Sequence, residues 1–230
     1  MFEIKDLSVK RDSHFILEKV SCEAIPGDLV AFSGSNGCGK TTLLNCIVGS
    51  IPESGGTVSL FGEPSNVSGD KISFIPDDGG IIPLLTIDEQ LTLQCLLSGL
   101  SGDETQSRVD RIVGILELGG HREKRGSELS LGLKKRLGIG LGIIREAELF
   151  LFDEPFSGLD YSSVRVFCGI LEAIRIRGKI SVISSHSFPV EESLFTRKWV
   201  VRDRQILQNP EDGNTIQAHN LVTPEIPWLS

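Results

Sequence analysis

Eight consecutive residues near the beginning of the chain have the types and spacing of a nucleotide-binding loop. They run from Gly34 to Thr41 and fit the pattern G-x-x-x-x-G-K-[ST]. Glycines allow backbone N–H groups to point at phosphate oxygens, the lysine reaches the β- and γ-phosphates, and the threonine hydroxyl can bind Mg²⁺. The predicted nucleotide-binding residues of this phosphate loop are Gly34, Ser35, Asn36, Gly37, Cys38, Gly39, Lys40, Thr41 and Thr42.

The segments on either side of the phosphate loop favour the same interpretation. An apolar, strand-like segment (29–32) leads into the loop, and a helix-like segment (43–48) follows it. A helix that begins at the loop adds its partial positive charge and its unpaired N–H groups to the site. The alternative, a glycine-rich turn before an ordinary helix, does not require these flanking segments.

A second candidate site follows a continuous apolar segment at 149–152, which is typical of a strand buried on both faces. The segment ends in Asp153 and Glu154. A carboxylate at the end of a strand beside the phosphate loop can bind Mg²⁺, so Asp153 and Thr41 are predicted metal ligands. Glu154 could polarise the water that attacks the γ-phosphate. The alternative is an acidic turn after a buried strand.

The pattern of apolar residues along the rest of the chain predicts an α/β protein. Strands are predicted at 4–9, 20–24, 29–32, 57–61, 71–75, 149–152 and 180–184, with a hairpin-like segment at 199–207. Helices are predicted at 43–48, 86–100, 104–118, 130–145 and 162–177. The mostly helical residues between about 80 and 145 form an inserted lobe. A polar tail at 209–230 is predicted to be loosely held.

Composition restricts the class of protein and its partners. The 230 residues carry a formal net charge of -8, which argues against broad affinity for nucleic acids or anionic lipids. No apolar run approaches the ~20 residues that span a bilayer, and the first residues lack the features of a signal peptide. The five cysteines show no metal-binding spacing. These features predict a cytoplasmic protein with no nucleic-acid partner, held at any membrane by another polypeptide.

Three further segments complete an ordered series of motifs. Residues 128–133, here called the signature segment, read Glu-Leu-Ser-Leu-Gly-Leu; residues 156–160 read Phe-Ser-Gly-Leu-Asp; and a strand-like segment ends at His186. With the phosphate loop and the acidic pair, this order resembles the ATP-binding cassette (ABC) ATPases, specifically the nucleotide-binding subunit of an ABC transporter. The resemblance covers residues 1–208. It implies an α/β fold of ABC-ATPase type, in which a P-loop NTPase core carries an N-terminal antiparallel β subdomain and an inserted helical subdomain.

The resemblance also implies roles for individual residues, with ATP and Mg²⁺ as the cofactors. Ser130 and Gly132 would contact the γ-phosphate of an ATP bound by a second copy, and Asp160 would lie at the dimer interface. His186 would contact the γ-phosphate and place the attacking water. The predicted catalytic residues are Glu154, His186 and Lys40.

The chain departs from the family pattern at several positions. Leu131 and Leu133 stand where the family signature has glycine and glutamine, and Leu131 adds bulk where a partner's phosphate would approach. Asp77 occupies the place of a glutamine that binds Mg²⁺ and relays the nucleotide state to the membrane subunit, so Asp77 is a third predicted metal ligand. The candidates for the aromatic residue that stacks on adenine are His14 and Phe15.

The function that the resemblance implies is that of an ATPase subunit driving an ABC transporter from the cytoplasmic face of a membrane. ATP binding would close a homodimer or heterodimer, and hydrolysis would reopen it. Integral membrane permease subunits would dock near residues 76–100. Export is preferred because a single compact cassette with a short tail resembles those of many small bacterial exporters. Two alternatives stay open: a soluble ABC ATPase acting away from membranes, and a regulatory subunit that binds ATP but hydrolyses it weakly.

Overall fold

The computed structural model of the protein describes residues 1–65, 69–190, 192–210 and 223–229. Within these residues the chain forms two β-sheets and five α-helices. The strands are β1 (Phe2–Arg11), β2 (His14–Ala24), β3 (Leu29–Ser33), β4 (Gly55–Leu60), β5 (Glu63–Pro64), β6 (Ile72–Ile75), β7 (Leu149–Asp153), β8 (Ile180–Ser185), β9 (Arg197–Arg202) and β10 (Gln205–Pro210). The helices are α1 (Lys40–Ile47), α2 (Ile87–Leu97), α3 (Gly102–Ile115), α4 (Leu131–Ile143) and α5 (Tyr161–Ile176).

The larger sheet has six strands in the order β10-β9-β3-β8-β7-β6. Neighbouring strands are parallel except for β9 and β10, which form an antiparallel hairpin. The strands β3, β7 and β8 are almost entirely buried, as is typical of parallel strands covered on both faces. Because parallel strands end at the same edge of a sheet, the segments that follow these three strands lie together.

The smaller sheet is antiparallel, in the order β2-β1-β4-β5. Its first two strands are joined by a turn with two positive φ angles, 48° and 68°, a geometry that suits a tight hairpin. The sequence predicted only residues 20–24 of β2, because exposed side chains interrupt the apolar pattern before them. The two sheets meet where Phe2 packs against the fully buried Trp199, with ring centroids 6.3 Å apart.

The inserted helical subdomain consists mainly of α2, α3 and α4. Helix α2 begins with a reciprocal capping box between Thr86 and Glu89, which fixes its first turn. Helix α4 has a glycine where it passes closest to the loop after β6: a Cβ at Gly138 would lie 2.7 Å from the Cα of Gly79. Within the described ranges, no helix has the length and apolar character needed to cross a membrane.

The end of the chain differs from the predicted loosely held tail. Residues 211–222 and 230 lie outside the described part, but Ile226 and Leu229 are fully buried. The Trp228 indole N–H donates a hydrogen bond to the carbonyl of Ile143 at the end of α4 (2.8 Å). A segment this short shows no periodicity along the sequence. Its packing is visible only in the folded structure, where it contacts the end of α4.

We predict that Gly138→Ala destabilises the protein. Alanine is favoured over glycine in helices by about 1 kcal/mol, but the added Cβ would overlap backbone at residue 79, at a cost of about 1–3 kcal/mol. The free energy of unfolding in urea measures the difference. Gly114→Ala in α3 is the control, because a Cβ there meets nothing within 4 Å, and it should stabilise by about 0.5–1 kcal/mol. A gain in stability for Gly138→Ala would contradict the close approach of α4.

Candidate active site

The phosphate loop joins the end of β3 to the first turn of α1. Gly37 and Gly39 have φ angles of 77° and 110°, a region that residues with a side chain rarely adopt. Lys40 is buried, and its ammonium donates hydrogen bonds to the carbonyls of Gly34 (2.8 Å) and Ser35 (3.3 Å). The loop therefore closes around its own lysine, which suits it to bind an anion.

The phosphate loop lines a cleft of about 750 Å³. From the loop and the start of α1, the cleft is lined by Asn36, Gly37, Gly39, Lys40, Thr41 and Thr42. The other three predicted loop residues, Gly34, Ser35 and Cys38, are not among the described residues that line the cleft. The carbonyls of Gly34 and Ser35 accept hydrogen bonds from Lys40, and a Cβ at position 34 would lie 2.6 Å from Cys38 Sγ. The cleft also includes Asp77, Glu154, Ser157 and His186 from the neighbouring strand ends.

Thr41, which lines this cleft, contacts the buried Asp153. The Thr41 hydroxyl donates to Asp153 Oδ2 (2.7 Å), and the Ser184 hydroxyl donates to Asp153 Oδ1. This set of carboxylate and hydroxyl oxygens fits Mg²⁺, which in phosphate sites is held by one or two carboxylates together with phosphate oxygens. Within the described ranges no group of three or more His, Cys, Asp and Glu residues could hold a metal ion.

The Glu154 carboxylate lies between a cation and an imidazole. Its Oε1 is 3.6 Å from Lys40 Nζ, and its Oε2 is 3.1 Å from His186 Nδ1. The Ser185 hydroxyl donates to the same Oε2 (2.9 Å). The residue has a positive φ of 46°, and its N–H donates to the carbonyl of Ser184 (3.0 Å). The structure therefore brings the three predicted catalytic residues into one contact group.

The opposite end of the cleft is formed by the hairpin of β1 and β2. Its lining residues there are Val9, Lys10, Arg11 and Ile16. Neither predicted adenine-stacking residue is among the described residues that line the cleft: His14 is exposed, and the ring of Phe15 lies 4.4 Å from Lys10 Nζ. The sequence did not predict Ile16 as a cleft residue, because an aliphatic side chain is usually interpreted as part of the hydrophobic core.

The signature segment lies outside this cleft. Ser130 is the exposed N-cap of α4 and accepts a hydrogen bond from the Leu133 N–H (3.3 Å). Leu131 is 59% exposed, and a Cβ at Gly158 would lie 2.6 Å from its Cδ2. Gly132 also lies close to Gly158, because a Cβ at position 132 would be 3.3 Å from the Gly158 carbonyl. The chain therefore does not bring Ser130 or Gly132 to its own phosphate loop.

Asp160 forms hydrogen bonds within its own chain. It is the N-cap of α5: its Oδ1 accepts from the Ser163 hydroxyl (2.6 Å) and N–H (2.8 Å) and from the Ser162 hydroxyl (2.9 Å). Arg136 donates to its Oδ2 (3.2 Å). These bonds, led by those from Ser163, hold the pKa of the Asp160 carboxyl well below its usual value. The predicted place of Asp160 at a dimer interface stays a prediction.

Asp77, which stays a predicted metal ligand, is hydrogen-bonded to Lys135. The Lys135 ammonium donates to Asp77 Oδ1 (2.7 Å) and to the Asp77 carbonyl (2.6 Å). Sequence reasoning missed Lys135 because a lysine in a basic helical segment is usually solvated, and the contact joins residues that are far apart in the chain. It also assigned no role to Ser184 and Ser185, whose only signal is their position at the end of a strand.

The sequence of residues 17–157, more than half of the chain, matches the family model described as ABC transporter. The chain belongs to the ABC transporter family. The resemblance drawn from the sequence is confirmed, and so is the predicted fold class, since solved ATP-binding cassettes share this architecture. As a member of that family the protein is an ATP-binding subunit and an ATPase.

Curated relatives of this ABC protein include both import and export proteins. The taurine import ATP-binding protein TauB of Burkholderia pseudomallei is 27% identical over 213 residues, which cover 92% of this chain and 79% of the relative. The Nod factor export ATP-binding protein I of Paraburkholderia xenovorans is 27% identical over 192 residues, which cover 82% of this chain and 63% of the relative. The chain spans 44% to 79% of the length of relatives such as these.

Among solved structures, the dimeric post-hydrolysis state of the ATP-binding cassette MJ0796, bound to ADP and Pi, has a TM-score of 0.80 to this chain. It is 22% identical, and the match covers 91% of this chain and 98% of that one. At this identity the similarity concerns the fold alone.

We predict that Asp153→Asn slows Mg²⁺-dependent turnover by about 100-fold or more, because a neutral amide is a poor ligand for a hard cation. Phosphate release measured against Mg²⁺ concentration checks this. Asp103→Asn, at an exposed carboxylate in the first turn of α3, is the matched control and should keep the parental rate. Thermal unfolding identifies any loss caused by misfolding. A parental rate at low Mg²⁺ in a folded Asp153→Asn protein would exclude Asp153 as the metal ligand.

Proposed function

We propose that this ATPase powers transport by a membrane ABC transporter, with Glu154 as the residue that activates the attacking water. The observation that carries the proposal is the position of the Glu154 carboxylate, which contacts His186 on one oxygen and Lys40 on the other. A base is thereby placed beside the cation that binds phosphate. An acidic turn with no catalytic role would not require either contact.

The residues of the cleft can perform phosphoryl transfer to water. The loop N–H groups and Lys40 bind the β- and γ-phosphates, while Thr41 and Asp153 hold Mg²⁺. The metal, when bound, neutralises charge that develops on the phosphate oxygens. Glu154 takes the proton of a water whose oxygen bonds to the γ-phosphorus; the bond to the bridging oxygen breaks, and ADP and phosphate leave.

Dimerisation completes the site in this proposal. Because Ser130 and Gly132 do not line the cleft of their own chain, their predicted contact with a γ-phosphate requires ATP on a second copy, either identical or homologous. Ser130 caps an exposed helix end whose partial positive charge favours a phosphate arriving from outside. The dimeric state of the structurally similar MJ0796 cassette supports this arrangement.

The partner that carries cargo is proposed to be an integral membrane permease at the cytoplasmic face. Four large apolar side chains are exposed in and just before α2, within the predicted docking segment: Ile82, Leu84, Leu96 and Leu97. Such exposure suits burial against another protein. Import and export proteins both occur among the relatives, so the preference for export gains no support from them. The transporter names of these relatives favour transport over a soluble role away from membranes.

We predict that Glu154→Gln binds ATP with near-parental affinity but hydrolyses it about 100-fold more slowly or worse, because the amide cannot accept the proton from water. The stalled protein should accumulate as an ATP-bound dimer in sedimentation experiments. Lys40→Ala should instead lose ATP affinity. Phosphate release and equilibrium ATP binding together separate these outcomes.

The matched control is Glu123→Gln, at an exposed carboxylate in the helical subdomain, which should behave like the parent. Parental turnover by Glu154→Gln would remove the catalytic role of Glu154. Slow turnover by the parent protein, with and without a co-purified permease, would favour the regulatory alternative.

A further inference from the structure

Lys135 joins the helical subdomain to the catalytic edge of the larger sheet. It lies in the second turn of α4, and only 5% of its side chain is exposed. Its ammonium donates three hydrogen bonds: to the Asp77 carbonyl (2.6 Å), to Asp77 Oδ1 (2.7 Å) and to the Glu154 carbonyl (2.8 Å). An ammonium has three protons, so these bonds use its full capacity.

The contact has an electrostatic cause. Burying a cation costs several kcal/mol unless nearby charge and hydrogen bonds compensate it. Asp77 supplies the compensating negative charge, although its own side chain is 65% exposed. Asp77 thereby acts as the counter-ion of Lys135, and its metal role stays a prediction.

The Glu154 carbonyl matters because the backbone of Glu154 is in an unfavourable conformation. Its φ of 46° lies in the left-handed region, which disfavours a residue with a Cβ by about 1–2 kcal/mol. Three bonds oppose a rotation of this residue. Its N–H donates to the Ser184 carbonyl in the sheet, and its carbonyl accepts from Lys135 in α4 (2.8 Å) and, at a longer distance, from the Ser157 N–H (3.3 Å). The orientation of the two peptide groups of Glu154 sets where its side chain starts, and the contacts with Ser185 and His186 hold the carboxylate at its far end.

We propose that Lys135 is a positioning residue for ATP hydrolysis: it fixes the peptide of Glu154, and with it the start of the catalytic side chain, from the helix that begins at Ser130. The inference rests on the proposed role of Glu154. It also connects movement of α4 to ATP hydrolysis, because any displacement of α4 moves the ammonium that holds the Glu154 carbonyl. Lys135 contacts neither the phosphate loop nor the predicted metal ligand Asp153 through any of its three hydrogen bonds.

The test is Lys135→Met, which keeps the length of the side chain and removes all three donors. We expect kcat to fall about 10- to 100-fold, because a small displacement of a catalytic group has effects of this size, while the Kd for Mg·ATP stays within about twofold. The protein should fold, since water can reach the largely exposed Asp77 carboxylate. Lys134→Met, the same change one residue earlier on α4, is the matched control and should leave kcat unchanged.

A second variant separates the charge of Asp77 from the hydrogen bonds. Asp77→Asn keeps the backbone carbonyl and one side-chain oxygen as acceptors for Lys135. It should lower kcat by only about threefold, because a neutral acceptor bonds an ammonium less strongly but still in place. If Lys135→Met does not fold, Lys135→Arg, which keeps the charge and the donors, should show an intermediate kcat with unchanged Kd. A loss confined to the Kd for Mg·ATP, with a parental kcat, in both Lys135→Arg and Asp77→Asn would then overturn the proposal.

The decisive measurement combines Lys135→Met with Glu154→Gln under single-turnover conditions. A residue that acts through Glu154 has nothing left to position in that background, so the double variant should be within about twofold of Glu154→Gln alone. A further tenfold loss, or a parental kcat in Lys135→Met, would overturn the positioning role. Parental turnover by Glu154→Gln would overturn the proposed function instead, so the two failures are distinguishable.

Discussion

The parallel hydrogen bonding of β3, β7 and β8 is the constraint on which the rest of the site depends. In this register Asp153 lies opposite Ser184, and Ser33, the residue before the phosphate loop, lies opposite Ser185. A shift by one residue would turn the side chains of a strand to the other face of the sheet, and Asp153 would then lose Thr41. The strands are buried on both faces, and the register of their apolar side chains therefore also sets the register of the catalytic groups.

Buried charge imposes a second condition on this edge of the sheet. Lys40, Asp153 and Lys135 are each more than nine-tenths buried, and each has hydrogen-bond partners at the site. A buried charge without partners costs several kcal/mol, so an arrangement that broke these bonds would be strongly disfavoured. The network joins the sheet, the loop and α4, and the same interactions that stabilise the fold also orient the groups proposed to act on ATP.

Much of the fold could be predicted from local sequence patterns. The buried strands β3 and β7 are apolar runs that end in a single polar residue, and α2 has a capping box, so the type and approximate bounds of each follow from neighbouring residues. The first half of β2 and the packed end of the chain could not be predicted in the same way. Their order depends on surfaces supplied by distant residues: β1 for the strand, and α4 for Trp228.

By itself, the sequence determined the phosphate loop, the acidic pair and the family, because each depends on residue types at fixed spacing along the chain. Only the tertiary structure decided the partners of those residues. Thr41 and Asp153 are 112 positions apart, Asp77 and Lys135 are 58 apart, and Glu154 and His186 are 32 apart. Over such separations, the number of residues between two positions does not determine how far apart they are in space. The register of the sheet and the packing of α4 on it set those distances.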